Sequence, residues 1–468
     1  MKEPQRWPRE AWIPLLVGLY WLWNAPAHGF VGFVFSVLPG GLLLGSGLAM
    51  LLMPGDLRIS QFTALGGVLG VIFALPAFVV IGIGHGLLLV AGSVASFVAA
   101  GLHTLQLEPH PEEVPLPDGT LGLGVQVAID EALLATMTLT LPLPRSHDLA
   151  RIAGEIESAR ELFQSNGWFE NPASYHVEPP PVEKPTLTSR STRSVVYEHL
   201  RFESDYEPRA DEPGRDRWLS YVPNRTGHAW VLRHRGAPRP WLVCIHGYQM
   251  GRPGVDLLAF RPEWLHHGHG MNLLLPVLPL HGPRTIGRRS GDGFLAGEVL
   301  DTIHAEAQAM WDIRRLVGWL RAEGAPAVGV MGLSLGGYNA ALLAELDGGL
   351  ACAIPGVPAT DFTRLFFRHG PPLQVRQAEL HGSGEDHMDE VLQVVSPLRL
   401  PVRVPRERLA IFGGVADRLV PAEQVRDLWR HWDRPRIEWY QGAHLTFPRH
   451  RAVRALVDDT LRESGLAA

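Results

Sequence analysis

Residues 327–345 read AVGVMGLSLGGYNAALLAE and contain the pattern Gly-x-Ser-x-Gly centred on Ser334. The apolar run before the pattern, 327–331, predicts a buried β-strand, and the residues after it, 338–345, favour a helix. A turn between a strand and a helix exposes its serine at a strained tip, and small glycines let the two elements approach closely. Because the pattern alone arises by chance in roughly one such chain in five, it is the strand–turn–helix context that predicts a nucleophile at Ser334.

A serine hydroxyl is a poor nucleophile unless a base accepts its proton, and that base must itself be oriented. The chain offers both partners after the serine, Asp417 within GGVADRLVP and His444 within WYQGAHLTF. Each follows a predicted strand, and ligands of open α/β sheets bind beyond the carboxyl ends of the strands. We predict that Asp417 orients His444, which acts as a base and then as an acid. The alternative is that Asp417 caps a helix and His444 is an ordinary loop residue.

The negative oxygen of an acyl-transfer intermediate needs preorganised N–H donors. One predicted donor is the backbone N–H of Leu335, directly after the serine. The second is expected from the loop after the apolar run 241–246, where we choose Tyr248 over its neighbour Gln249. His246, in the same turn, is expected to be structural.

Apolar runs alternate with helical stretches through the rest of the chain. The predicted strands are 194–202, 218–222, 229–234, 241–246, 271–280, 327–331, 350–354, 409–412 and 436–440. The predicted helices between them are 301–323, 337–345 and 421–432. This alternation predicts an α/β fold in which a mostly parallel sheet is covered by helices on both faces.

Four motifs together resemble the α/β-hydrolase fold superfamily: GLSLGG at Ser334, the turn at His246 and Gly247, GGVADRLVP, and GAH at His444. The resemblance covers residues 193–468. Within the superfamily the chain is similar to abhydrolase-domain proteins of the esterase and lipase type. It implies an α/β-hydrolase domain, a serine nucleophile with a catalytic triad, and no metal or cofactor.

Two regions of this domain are predicted to set its specificity. Residues 361–408 form a possible cap, with Phe366 on an acyl-binding face, and a helix with core contacts is the alternative. The loop after 271–280 carries Arg284, Arg288 and Arg289, whose guanidinium groups suit phosphate. A solvated basic loop is the alternative for these arginines.

A third group of polar residues was considered as a metal site. His381, Asp386, His387 and Asp389 lie close together in the sequence. A solvated loop explains them better than a metal site does, because a metal site needs a defined ligand geometry that this spacing does not specify. No metal site is therefore predicted.

Charge is distributed unevenly along the chain. Residues 11–107 contain only two charged residues, Asp56 and Arg58, whereas the whole chain has 42 basic and 48 acidic residues. A membrane-spanning helix needs about 20 apolar residues. Residues 1–107 are therefore predicted to be an all-α transmembrane region with about four spans, the first of them short. A three-span alternative makes 11–23 an interfacial segment.

Residues 108–192 are predicted to be a linker with connecting helices, of which 125–141 is an interfacial or docking helix. Positive charges in the first ten residues favour a cytoplasmic N-terminus. An even number of spans then keeps the hydrolase domain in the cytoplasm, in a multi-pass protein of the cell membrane, although the acidic flank at 108–118 opposes this orientation. The net charge of −6 argues against nucleic-acid binding.

Taken together, these patterns predict a membrane-anchored serine hydrolase that cleaves carboxylic esters, of lipid or other acyl type, through an acyl-enzyme. Its predicted partners are a lipid or acyl-ester substrate and the bilayer. An acyltransferase and a peptidase use the same triad and are alternatives. A non-catalytic membrane scaffold with a degenerate hydrolase domain is the alternative from a different class. The sequence leaves the oligomeric state open.

Overall fold

The computed structural model describes residues 9–25, 29–140, 144–192 and 195–467. Contacts between residues divide the chain into two compact units. The helical unit comprises Met1–Thr140, Gly414–Ala422 and Trp439–His450, and the sheet unit comprises Leu141–Gly413, Glu423–Glu438 and Arg451–Ala468. Two short stretches from the C-terminal half of the chain therefore belong to the helical unit.

Within the described ranges, nine strands form one mixed sheet in the order β1-β2-β3-β5-β4-β6-β7-β8-β9. The strands are β1 (Thr186–Thr192), β2 (Val195–Glu203), β3 (Thr226–Leu232), β4 (Trp241–Ile245), β5 (Asn272–Pro276), β6 (Val328–Leu333), β7 (Ala353–Gly356), β8 (Ala410–Gly414) and β9 (Arg436–Tyr440). The first three strands pair antiparallel, and β3 is also antiparallel to β5. From β5 through β4, β6, β7 and β8 the pairing is parallel.

The centre of the sheet is apolar on both faces. In register, Val243 of β4 lies opposite Leu274 of β5 and Val330 of β6. Every residue of these three strands is buried, as parallel strands require when helices cover both faces of a sheet. This arrangement, with a sharp turn after β6, is the α/β-hydrolase fold that the sequence predicts.

The helices of the sheet unit lie before, between and after its strands. They are α6 (Ser146–Ser165), α7 (Arg215–Ser220), α8 (Pro253–Phe260), α9 (Val299–Ala322), α10 (Leu335–Leu346), α11 (Phe362–His369), α12 (Pro372–Leu380), α13 (Glu385–Leu392), α14 (Ala422–His431) and α15 (Arg451–Glu463). Almost all of α9 is buried. The guanidinium of Arg217 on α7 ties α6 to α9, because it pairs with Glu155 at 2.6 Å and Asp301 at 2.8 Å.

Two of the predicted elements differ from the structure. The strand predicted at 218–222 is wrong, because Trp218 belongs to α7 and is buried with its Nε1 donating to Gln308 of α9 at 3.0 Å. The apolar side chain of Trp218 packs against α9 and does not belong to a strand. The sheet also begins before the expected boundary at residue 193, because Thr186–Thr192 pairs with β2.

Three short helices, α11 to α13, occupy the predicted cap region 361–408. The first residue of α11, Phe362, is buried and stacks on Tyr338 of α10 with ring centroids 4.2 Å apart. The hydroxyl of Tyr338 donates to the carbonyl of Val395 at 2.7 Å. The segment therefore makes the core contacts that were the alternative to a cap, and its role as a cap stays a prediction.

Among the described residues, the helical unit contains five α-helices in its N-terminal part. They are α1 (Trp12–Asn24), α2 (Gly29–Leu52), α3 (Arg58–Val80), α4 (Ile83–Leu107) and α5 (Leu121–Thr140). Gln106 near the end of α4 donates to Glu10 just before α1 at 3.1 Å, and Tyr20 near the end of α1 bonds to His85 at the start of α4. The helices α1 and α4 are therefore antiparallel, and the chain enters and leaves this bundle at the same end.

Four helices in the described part of the chain are long and apolar enough to cross a membrane: Gly32–Leu52, Arg58–Val80, Ile83–Leu107 and Leu121–Thr140. The helix α1 has 13 residues and a length of about 20 Å, less than the ~30 Å hydrocarbon core of a bilayer. Three of the four long helices lie in the region predicted to span the membrane. The fourth, α5, coincides with the segment predicted as an interfacial or docking helix.

The helices α4 and α5 pack closely against each other at Gly101. A Cβ at Gly101 of α4 would lie 1.8 Å from the carbonyl oxygen of Gly124 on α5, whereas a Cβ at Gly45 of α2 would meet nothing within 4 Å. Overpacking costs about 1–3 kcal/mol. We expect Gly101→Ala to lower the thermal unfolding midpoint of the detergent-solubilised protein by several degrees. Gly45→Ala is the matched control, and equal midpoints for the two variants would contradict this packing.

Candidate active site

Ser334 lies at the junction of β6 and α10 in a conformation that side chains rarely adopt. Its φ is 58° and its ψ is −116°. Its N–H donates to the carbonyl of Gly356 at 2.9 Å, and its carbonyl accepts from Tyr338 at 3.0 Å and Ala359 at 3.3 Å. Strain of this kind persists only where the surrounding structure fixes the backbone, and it is concentrated at functional sites. The turn predicted from the sequence is therefore present and held on both sides.

Two glycines make this turn sterically possible. A Cβ at Gly332 would lie 1.8 Å from the carbonyl oxygen of Gly336, and a Cβ at Gly336 would lie 2.0 Å from the carbonyl oxygen of Ile245 on β4. Neither position has room for a side chain. The spacing of glycines around the serine thus follows from the close approach of β6, α10 and β4.

The loop after β4 passes beside the serine. A Cβ at Gly247 would be 3.5 Å from the Cβ of Ser334. His246 holds the loop, because its Nε2 accepts from Leu278 N–H at 3.1 Å, which leaves Nδ1 to donate to Gly247 O at 2.8 Å. Burial lowers the pKa of His246 and keeps its ring neutral. The side chain therefore has a structural role.

The two predicted oxyanion donors follow Gly247 and Ser334 in the sequence. Tyr248 directly follows Gly247, and Leu335 is the first residue of α10. The first N–H groups of a helix have no partner within it and point outward from its end. Tyr248 and Leu335 remain the predicted donors.

Asp417 and His444 meet within the helical unit. The two side chains lie 2.6 Å apart, measured from His444 Nδ1 to Asp417 Oδ2, and both are buried. The second carboxylate oxygen, Oδ1, accepts from Val420 N–H at 2.8 Å and so closes the turn that leads to α14. Asp417 therefore stabilises the turn before α14 and also bonds to the histidine.

This hydrogen bond gives His444 the character of a base. It places the proton on Nδ1 and leaves the lone pair on Nε2. Burial alone would lower the pKa of His444, but the nearby carboxylates of Asp417 and Asp130 favour the charged ring and raise the pKa above its usual value. The two carboxylates therefore make it more favourable for the His444 imidazole to accept a proton.

The prediction from sequence missed one residue beside this pair. Asp130, in the middle of α5, accepts through Oδ2 from the backbone N–H of Arg418 at 3.1 Å and of His444 at 3.0 Å. The signal that could have identified it is a pair of adjacent acids, Asp130 and Glu131, within an otherwise apolar helix. Buried carboxylates require partners.

The arginines predicted to bind phosphate differ in their surroundings. Arg284 is 1% exposed, pairs with Asp312 at 2.9 Å, and donates to the carbonyls of Val277 and Asn224. Its guanidinium is therefore occupied inside the sheet unit, and the prediction that it contacts substrate is corrected. Arg288 and Arg289 are exposed, and for these two residues contact with substrate stays a prediction.

Phe366, the predicted acyl-contact residue, is half-buried on α11. Its ring is nearly perpendicular to that of Phe367, with centroids 5.4 Å apart. A Cβ at Gly297 would lie 3.8 Å from its edge. The aromatic pair gives this face of α11 an apolar surface, and its contact with an acyl chain stays a prediction.

Within the described ranges, no group of three or more His, Cys, Asp or Glu residues is arranged to hold a metal ion. His387 bonds through Nδ1 to the carbonyl of Gly382 at 2.8 Å, and Asp389 pairs with Arg399 at 3.2 Å. His387 and Asp389 thus lie on α13, where a loop was expected, and both side chains have protein partners.

Two mycobacterial proteins are similar to this chain over most of its length. The uncharacterized protein MT2702 of Mycobacterium tuberculosis (strain CDC 1551 / Oshkosh) is 40% identical over 383 residues, which cover 80% of this chain and 92% of that protein. The uncharacterized protein Rv2627c of Mycobacterium tuberculosis (strain ATCC 25618 / H37Rv) is 39% identical with the same coverage. No family model matches the chain.

Solved structures with a similar fold include two acetyl xylan esterases. The enzyme from Paenibacillus sp. R4 is 17% identical with a TM-score of 0.46, covering 72% of this chain and 99% of that one. Acetyl xylan esterase 1 from Thermoanaerobacterium sp. JW/SL YS485 is 15% identical with a TM-score of 0.43, covering 64% and 93%. The strand order given above identifies the fold independently of these similarities.

Strain at the serine can be measured by two substitutions. Ser334→Gly removes the Cβ that makes φ 58° unfavourable, whereas Ser334→Ala keeps it. Strain at such positions is of order 1–3 kcal/mol, and the entropy of glycine in the unfolded chain offsets about 0.5–1 kcal/mol of the relief. We expect the glycine variant to have a free energy of unfolding about 1 kcal/mol higher than the alanine variant in chemical denaturation. A less stable glycine variant would contradict the strained geometry.

Proposed function

The chain belongs to the family of the mycobacterial proteins MT2702 and Rv2627c, and we propose that it is a membrane-associated serine hydrolase that cleaves carboxylic esters. The observation that carries the proposal is the strained Ser334 at the junction of β6 and α10. The buried pair of Asp417 and His444 in the same chain supports it. Solved structures of similar fold are named as esterases, which agrees with this class of reaction.

In the first half of the proposed reaction, Ser334 Oγ attacks the acyl carbonyl while His444 Nε2 accepts the hydroxyl proton. The N–H groups of Leu335 and Tyr248 stabilise the resulting oxyanion. His444 then returns the proton to the leaving alkoxide, which departs as an alcohol, and an acyl-enzyme remains.

In the second half, water replaces the alcohol. His444 accepts a proton from the water, whose oxygen attacks the acyl-enzyme carbonyl. Collapse of the intermediate releases a carboxylic acid, and the proton returns to Ser334 Oγ. Asp417 keeps the Nδ1 proton directed at itself and stabilises the imidazolium in both halves.

The proposed substrate is a lipid or other acyl ester, and the proposed second partner is the bilayer. Large apolar side chains on four helices of the helical unit are exposed, including Leu16, Phe30, Leu75 and Leu88. Exposed apolar surface of this extent marks contact with lipid or a partner. Phe366 is proposed to contact the acyl chain, and Arg288 and Arg289 to contact a phosphate when the ester carries one.

We propose that α1 to α4 lie in the cell membrane and that the hydrolase domain faces the cytoplasm. Glu10 and Gln106 are bonded at one end of the bundle, so the chain leaves α4 on the side where Arg9 lies. The short connection from α2 to α3 carries Asp56, which pairs at 3.0 Å with Arg58, the first residue of α3. By connectivity it is on that side too, and basic residues favour the cytoplasmic face. The helix α5 docks instead of crossing, because its central acids bond to Arg418 and His444.

The first test is covalent labelling of the full chain with a fluorophosphonate, which reacts with activated serines. We expect wild-type protein to be labelled at Ser334 and Ser334→Ala not to be labelled. His444→Ala is expected to slow labelling by a factor on the order of 10²–10⁴, because general-base catalysis contributes that much. Ser189→Ala, an exposed serine on β1, is the control with unchanged labelling. Equal labelling of wild type and Ser334→Ala would reject the proposal.

The second test concerns sidedness. Protease added to right-side-out vesicles is expected to leave the residues after 193 intact, and the same protease after permeabilisation is expected to digest them. The reason is that an even number of crossings returns the chain to the side of its basic N-terminus. Digestion in intact vesicles would place the domain outside and would leave the chemistry of Ser334 unaffected.

A further inference from the structure

One carboxylate oxygen of α5 joins the two loops that carry the proposed acid–base pair. Asp130 is 1% exposed, and its Oδ2 accepts from the N–H of His444 at 3.0 Å and of Arg418 at 3.1 Å. Arg418 directly follows Asp417. The same oxygen therefore fixes the backbone of the base itself and the backbone next to the residue that orients it.

An ionic cluster surrounds this contact. Arg418 is 4% exposed as a side chain and donates through Nε to Glu131 at 2.6 Å, while its Nη1 pairs with Glu108. The cluster thus contains four carboxylates, one guanidinium and one imidazole, when Asp130, Asp417 and His444 are included. A group with this excess of carboxylates favours a protonated His444 electrostatically.

Apolar contacts and hydrogen bonds hold the same two loops against residues 114–127. Of the loop after β8, Val415, Ala416 and Ala422 pack against residues of the segment from Val114 to Val127. Of the loop after β9, Gln441 donates to the carbonyl of Leu116 and accepts from the N–H of Asp118, both at 2.9 Å. Both loops therefore have fixed positions within the helical unit.

We propose that Asp130 is a positioning residue for His444. Its carboxylate holds the backbone of His444 at the distance that keeps the imidazole bonded to Asp417, and its negative charge stabilises the imidazolium formed during the reaction. This inference rests on the proposed hydrolase function. It assigns to α5, a helix outside the hydrolase domain, a direct part in arranging the catalytic base.

Two substitutions separate the hydrogen bonds from the charge. Asp130→Asn keeps a carbonyl oxygen as acceptor and removes the charge, whereas Asp130→Ala removes both. The groups facing His444 in the described residues are Asp417 from the loop after β8 and Asp130 from α5, and both favour its charged form. Tyr440 lies nearby, and its hydroxyl donates to the carbonyl of Ala443. Removing the Asp130 charge should therefore lower the pKa of His444.

The experiment is the rate constant of fluorophosphonate labelling of the full chain as a function of pH. The labelling requires neutral His444, so its acidic limb reports the protonation of His444 together with that of Asp130, whose pKa is raised to about 7 by burial and by the Asp417 carboxylate. For Asp130→Asn we expect the limb to move to lower pH by several tenths of a unit, with a plateau within threefold of wild type. For Asp130→Ala we expect a plateau at least tenfold lower. Glu112→Gln removes an exposed acid that precedes α5 in the sequence and is the control for charge alone.

The outcomes are distinct. An unchanged acidic limb in Asp130→Asn overturns the proposal, as does a wild-type plateau in folded Asp130→Ala. If Asp130→Ala does not fold, the limb of Asp130→Asn decides. If wild-type protein is not labelled, the hydrolase function fails instead. The pH dependence of diethylpyrocarbonate modification at His444, followed by peptide mass spectrometry, then tests the coupling to Asp130 without any catalysis.

Discussion

Two carboxylates in the middle of an apolar helix must find partners, and that requirement connects the two halves of this chain. Burying a charge is costly unless it is paired and hydrogen-bonded. Asp130 and Glu131 are both fully enclosed, and Arg418 supplies the guanidinium and one backbone N–H that they need. Because Arg418 follows Asp417, satisfying the helix also fixes the loop of the acid–base pair. The partners that the carboxylates of α5 require therefore also determine where the loop of Asp417 lies.

A second constraint is steric and acts at the serine. The backbones of β4, β6 and α10 approach so closely that only glycine fits at positions 332 and 336. Ser334, between them, keeps a side chain at φ 58° because hydrogen bonds on both sides hold it there. The free energy stored in this conformation is maintained by the fully buried strands around it. The strained backbone at Ser334 therefore depends on the rigid, buried strands of the sheet.

The sequence predicted the parts of the structure that depend on local pattern. Buried strands give apolar runs, so the core strands β4, β5 and β6 are predicted within a few residues of their observed bounds. The half-buried strand β9 is predicted at its observed bounds, 436–440. The edge strand β1, TLTSRST, is mostly exposed and lacks such a run. Two contacts were beyond local pattern. The ion pair of Arg284 with Asp312 depends on tertiary packing, and the bond from His444 to Asp130 joins residues 314 positions apart.

That separation has a consequence for biosynthesis. During translation at about 5–20 residues per second, α5 leaves the ribosome long before Arg418 and His444, which follow Asp130 by 288 and 314 positions. The delay is roughly 15–60 s at that speed. Throughout it, Asp130 and Glu131 lack the contacts with Arg418 and His444 that they make in the folded chain, and water must hydrate them instead. This cluster can therefore form only after the two C-terminal loops have been synthesised.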